Sequence, residues 1–192
     1  MRSILRQRTV TLLAVTGALA VALCGCTPDQ PAPSTVPSPS SSDPPFATDE
    51  DALAAAQSAY EEFMAVTKQI MADDGASPER LDSVAAPGVA IPEKEAMVDF
   101  VARHLTVEGA SAVTGAVLQS YSPEATDGRG IVRAYLCVNV SAVDVLDENG
   151  VSVVQPTRPD ETPFEVTFDL VEADSPRLIV SGKNQWGGSG IC

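Results

Sequence analysis

The order of patterns along the chain predicts an α+β fold, in which N-terminal helices pack on a curved antiparallel sheet. Three observations carry that expectation. Apolar residues recur at steps of three and four as far as Leu105, alternate with period two from about Ala112 onward, and are separated in the second half by Gly, Pro and Asn-Gly turn signals. With 192 residues, 44% of them hydrophobic, the chain has material for one domain of ordinary size.

The first helix has its start written into the sequence. Thr48 can cap it with Asp51 at the third position, and Asp49 and Glu50 suit the positive end of a helix dipole. Leu53, Ala56, Tyr60, Phe63, Thr67 and Ile70 then form one stripe, ending near Asp73-Asp74-Gly75. Ser77-Pro78 opens a short second helix through Val84, which Pro87-Gly88 breaks. Pro92 is expected to start a third helix, with Met97, Phe100, Val101 and Leu105 on its inner face.

A strand is expected over Ala112 to Tyr121, with Val113 and Val117 inward. After the Asp127-Gly128 turn a long strand runs from Arg129 to Val145, placing Val132, Ala134, Leu136, Val138, Val140 and Ala142 on the core face. Its other face, with Arg133, Tyr135, Cys137, Asn139 and Ser141, is mixed. Asn149-Gly150 turns the chain into Val151 to Val154, and Pro156, Pro159 and Pro163 mark a loop. Phe164, Val166, Phe168 and Leu170 alternate cleanly, and a last strand spans Arg177 to Trp186.

The N-terminus carries an address. Arg2, Arg6 and Arg8 precede an apolar or small stretch from Thr9 to Leu23, which is short for a permanent membrane span. Leu23-Cys24-Gly25-Cys26 resembles the lipobox of bacterial lipoproteins. The resemblance implies cleavage after residue 25, diacylglycerol on the Cys26 thiol and an acylated, for example palmitoylated, amino terminus. Two or more acyl chains suffice for stable anchoring, so the expected place is the extracytoplasmic face of a cell membrane. Residues 27–45 hold seven prolines and five serines, and read as a disordered, extended linker with a reach of about 50 to 60 Å. The domains are then 1–25, a signal peptide; 26–45, the lipidated Cys and linker; and 46–192, the α+β domain.

Helices first, a long one leading, and a bent sheet after them resemble the NTF2-like (cystatin-like) superfamily, the cone-shaped α+β fold that includes ketosteroid isomerase. The likeness covers Phe46 to Trp186 as an order of elements. The run from Cys137 to Gly150 and the terminal Cys192 are similar to a group of small secreted actinobacterial lipoproteins of that superfamily, which implies the fold and the compartment more than an activity.

Charge and composition narrow the function. Twelve basic against 26 acidic residues, a net charge of −14, exclude a nucleic-acid binder, and a single histidine with scattered cysteines excludes a conventional metal centre. Without the leader the balance is 9 against 26, so anionic headgroups repel the domain and the lipid must anchor it. Cys137 and Cys192 are left outside the cytoplasm, where a disulfide between them is expected. His104, with Asp99 before it and Glu108 after it, reads as a helix-flank residue paired to Glu108. There is no Gly-x-Ser-x-Gly nucleophile elbow. Asp144, Asp147, Glu148 and Asn149 miss the spacing of a calcium loop and read as a solvated turn.

Tyr60, Phe63, Phe164, Phe168 and Trp186 are the candidate pocket-lining residues; no catalytic residue, metal or cofactor is assigned. Three functional readings stand. The favoured one is a non-catalytic lipoprotein, anchored to the membrane by its N-terminal lipid, whose domain binds a small apolar ligand or an envelope protein. The second is an isomerase-like enzyme with an acidic base in the cone, drawn from Asp144, Glu165, Asp169 and Glu172, and a donor among Tyr60, Tyr121 and Tyr135. The third is a structural envelope component that forms a homodimer through the mixed face of its sheet.

Overall fold

A computed structural model describes residues 43–172 and 175–192. The leader, Cys26 and the linker up to residue 42 lie outside the described residues. Phe46 is the first buried residue among those described, and its backbone N–H donates to the Tyr121 hydroxyl at 3.0 Å.

The fold is α+β. Helix α1 spans Asp49–Ala72, a 3₁₀ helix spans Pro78–Ser83 and α2 spans Pro87–Ala102. Thr48 caps α1 as its residue type demands, its Oγ1 accepting from the Asp51 N–H at 3.1 Å. The far end closes in a Schellman pattern: the N–H groups of Asp74 and Gly75 return to the carbonyls of Met71 and Ile70, with Asp74 left-handed at φ 54°.

The expected helix start at Pro92 is wrong. Pro87 is the residue that opens α2, after an extended Ala86, and Pro92 sits inside the helix. Burial of Ala85, Val89 and Ala90 fixes the first turn and outweighs the one backbone bond Pro92 removes. The helix also stops earlier than its apolar pattern suggests. His104 takes the left-handed position after the cap, with φ 53° and its N–H bonded to the Val101 carbonyl at 2.9 Å. The sole histidine is therefore an exposed terminator of α2, and Glu108 lies on a strand rather than on the same helix.

Six strands follow: β1 Thr106–Glu108, β2 Ala112–Tyr121, β3 Val132–Asn139, β4 Asp144–Leu146, β5 Glu161–Leu170 and β6 Leu178–Gln185. The main antiparallel sheet has the order β2-β3-β5-β6, and β1 pairs with β4 in a two-stranded ribbon. Val132, Ala134, Leu136, Val166, Phe168 and Val180 press from the sheet onto Ala52, Ala56, Tyr60, Phe63 and Ile70 of α1, and these residues form the core. Each Leu- or Val-sized side chain so buried stabilises the fold by about 1.5–3 kcal/mol before ordering entropy is subtracted.

Departures from simple alternation have local causes. A bulge between Val113 and Gly115 reverses the phase of β2, so Ala116 and Leu118 turn inward and Val117 is 47% exposed, against expectation. The expected long strand from Arg129 to Val145 breaks after Asn139, whose Oδ1 accepts from the Ser141 N–H and hydroxyl and draws the backbone into a turn. Arg158 fastens that turn with bonds to the carbonyls of Val140 and Val143 at 2.8 and 2.7 Å.

Pro163 belongs to β5 rather than to a loop. Its carbonyl accepts from Trp186 N–H, so its hydrogen-bonding side faces β6 where that strand ends, and the β3 ladder loses nothing. Asn149-Gly150 does form a turn, held by the Asp147 carboxylate, which accepts from the Val151 and Asn149 N–H groups. Those bonds, Val151's first, hold its carboxyl below the usual aspartate range.

Cys137 and Cys192 form a disulfide with Cα atoms 5.3 Å apart. It ties the C-terminal tail across the outer face of the sheet, over Gly115.

Candidate ligand-binding cavity

A cavity of about 630 Å³ opens between the C-terminal half of α1, the β1–β2 connection and the end of the main sheet. That volume lies within the usual range for small-molecule sites. Half-buried Met64 and Met71 of α1 line it with Val113 of β2, Val138 of β3 and Phe164 of β5. Thioether side chains suit such a wall because they adapt to irregular ligand shapes. Val107 and Gly109 stand at the rim, both exposed.

Polar groups gather at the Phe63 end. Lys183 Nζ bonds Glu93 Oε1 at 2.5 Å and stands 5.4 Å from the Phe63 ring centroid and 5.8 Å from that of Phe164. Each side chain of the pair is 24% exposed. Tyr60 lies beside them, and its hydroxyl makes no hydrogen bond to another described residue. Burial first, then the negative charge of Glu93, pushes its pKa well above the ordinary tyrosine value, so the hydroxyl stays protonated. A second hollow of about 220 Å³, lined also by Gly88, Val89 and Pro92, shares Glu93 and Lys183 with the first.

Lys183 reaches this end because of a backbone irregularity. In β6 Val180 pairs with Phe168, whereas Gly182 pairs with Thr167, so Ser181 is an extra residue that inverts the strand's phase. Leu178 and Val180 face the core before the bulge, and Lys183 faces it afterwards, opposite buried Val166. The Asp169 carboxylate stabilises the bulge, accepting from the Ser181 hydroxyl at 2.6 Å and the Gly130 N–H at 2.7 Å.

Of the candidate pocket residues, Tyr60, Phe63 and Phe164 come together in the cavity. Phe168 does not: it lies further along β5, fully buried in the core. Nor does Trp186, which the Ser181 bulge turns to the outer face, where its ring packs 5.0 Å from that of Tyr135. The candidate acids are elsewhere as well. Asp144 bonds Ser152, Asp169 serves the bulge, and neither Glu165 nor Glu172 lines the cavity. Sequence reading missed Glu93 and Lys183 as partners, since 90 residues separate them and alternation from Leu178 puts Lys183 outside.

No protein-family model matches the chain, and no curated protein sequence matches it either. Among solved structures, the intermembrane-space region of the chloroplast protein ARC6 is similar, with a TM-score of 0.50 and 11% sequence identity over 71% of this chain and 97% of that one. At that identity the likeness speaks for the α+β fold alone. A de novo designed β-sheet protein aligns over 73% of this chain and 92% of its own, with 18% identity and a TM-score of 0.32, too low to bear on the argument.

Proposed function

We propose that the chain is a lipid-anchored, extracytoplasmic binding module of the NTF2-like kind, whose cavity takes a small, largely apolar ligand. The observation that carries the reading is the cavity: largely apolar walls with an adaptable methionine lining, Tyr60, Glu93 and Lys183 together at the Phe63 end, and the exposed Glu61 and Lys68 of α1 also in its lining. The lipobox-like Leu23-Cys24-Gly25-Cys26 and the Pro/Ser-rich segment after it support an anchored domain held off the membrane surface.

None of the acids the enzymatic alternative draws on, Asp144, Glu165, Asp169 and Glu172, lines the cavity, so that alternative would have to use Glu93 beside Tyr60 instead. Glu93 is already engaged by Lys183, which favours a binding role over proton transfer.

The test is native mass spectrometry of the chain from its own cells, beside a Val140→Trp variant that fills the cavity from its wall. A co-purifying apolar molecule in the wild type, absent from a variant of unchanged melting temperature, is expected. Ligand-free wild type, or equal occupancy in both, sinks the reading. Intact mass of the mature amino terminus checks the anchor, which predicts a diacylglycerol-modified Cys26.

A further inference from the structure

We propose that the cavity takes an uncharged amphiphile, a long hydrocarbon chain ending in a hydroxyl or an ester, and discriminates against the fatty acid of the same length. The inference rests on the binding role argued above and names the ligand class for the same site.

The charge arrangement at the Phe63 end selects the head group. Lys183 and Glu93 neutralise one another, and three quarters of each side chain is out of solvent. A carboxylate entering there meets an ammonium that already has its anion. It brings a second negative charge against Glu93 and is desolvated without a counter-charge of its own. An ammonium head meets the converse problem, since Lys183 repels it and holds the acid it needs. The lining's other cation, Lys68, is exposed and shares the wall of α1 with the acid Glu61, so it offers a carboxylate only a solvent-screened partner. The surrounding field also disfavours anions, because the sequence from Asp43 to Cys192 has 9 basic against 25 acidic residues.

A neutral oxygen has partners without that cost. The Lys183 ammonium carries three N–H donors, of which Glu93 takes one. The Tyr60 hydroxyl stays protonated, has no hydrogen bond to another described residue, and lines the same end. A hydroxyl or ester carbonyl can accept from either donor while its hydrocarbon chain lies along Met64, Met71 and Val113 toward the rim. The Phe63 and Phe164 ring centroids stand 5.4 and 5.8 Å from the ammonium and give it apolar neighbours on the cavity side.

Photo-crosslinking tests this with the lipidated chain reconstituted in phosphatidylcholine vesicles. Three probes of equal length carry a mid-chain diazirine and end as a primary alcohol, a carboxylate or a methyl group. The readout is labelling of peptides from Tyr60–Ala72 and Val107–Val113. The alcohol is expected to label these peptides roughly tenfold more than the carboxylate, the discrimination set by an uncompensated buried charge. Glu93→Gln frees Lys183 and should reverse the order in favour of the carboxylate. Tyr60→Phe should lower alcohol labelling severalfold and leave the hydrocarbon probe unchanged. Circular dichroism establishes that both variants are folded; if Glu93→Gln is not, Tyr60→Phe and the wild-type ratio decide.

Equal labelling by alcohol and carboxylate, or a wild-type preference for the carboxylate, overturns the proposal. Labelling by the hydrocarbon probe in that case leaves the binding role standing. Failure of all three probes to reach the cavity peptides overturns both.

Discussion

Tyr60 concentrates the chemistry of the site in one side chain. It is 3% exposed, packs its ring 5.8 Å from that of Phe63, and presents its hydroxyl to the cavity beside Glu93. Its pKa is raised in the folded state, so folding favours the neutral phenol. The contribution to stability is therefore whole below the unfolded-state pKa near 10 and is lost as pH rises above that value. Tyr60 is expected to ionise only as the domain unfolds in alkali. Absorbance at the phenolate band, recorded with far-ultraviolet circular dichroism, checks this. In Tyr60→Phe the part of the absorbance rise that coincides with unfolding should shrink by one residue's share; an undiminished rise would show that Tyr60 is not held protonated by burial. Tyr60 was legible in the sequence because a helical stripe records which residues face inward. The Glu93–Lys183 pair beside it was not, because a contact across 90 residues leaves no local trace.

Elements read well where one periodicity runs unbroken, and poorly where a side chain competes with the backbone. The Thr48 cap, the clean alternation of Phe164 to Leu170 and the Asn149-Gly150 turn belong to the first kind. The second kind includes the Ser181 bulge, the Asn139–Ser141 turn that cuts the long strand, and the placement of Pro92 inside α2. These irregularities shape the cavity: one turns Lys183 inward, and another sends the chain from β3 to β4, whose partner β1 leads into the rim. Gly109 joins β1 to β2 with φ 79°, and an added methyl group there would overlap the Ala142 carbonyl. Gly109→Ala should thus lose at least about 2 kcal/mol, from left-handed strain and the displaced turn. Urea denaturation measures the loss, and amide exchange should locate the loosening in β1 and β4. An unchanged midpoint would show that the rim yields without cost.

At the scale of the whole molecule, the two faces of the sheet are held by different means. The inner face is secured by α1 and the core, and the outer face is crossed at Gly115 and Cys137 by a tail that has few apolar residues of its own. Trp186 packs on Tyr135, the chain passes over Gly115 at the Ile191 carbonyl, and Cys192 is joined to Cys137, which is 2% exposed. The four glycine and serine residues from Gly187 to Gly190 add little burial, so the covalent link must hold the tail in place. A sequence separation of 55 corresponds to about 4 kcal/mol in the chain-entropy account. For a domain whose total stability is of order 5–15 kcal/mol, that is a large share and less than the whole. Cys192→Ser should therefore still fold, because the core against α1 contains none of the tail, while its denaturation midpoint falls. A thiol reductant should bring the wild type down to the variant's midpoint and leave the variant unmoved, since the variant has no bridge between Cys137 and residue 192 left to reduce. A wild-type midpoint insensitive to reductant would instead mean that noncovalent contacts already hold the tail, and that the bridge adds nothing to the stability of the fold.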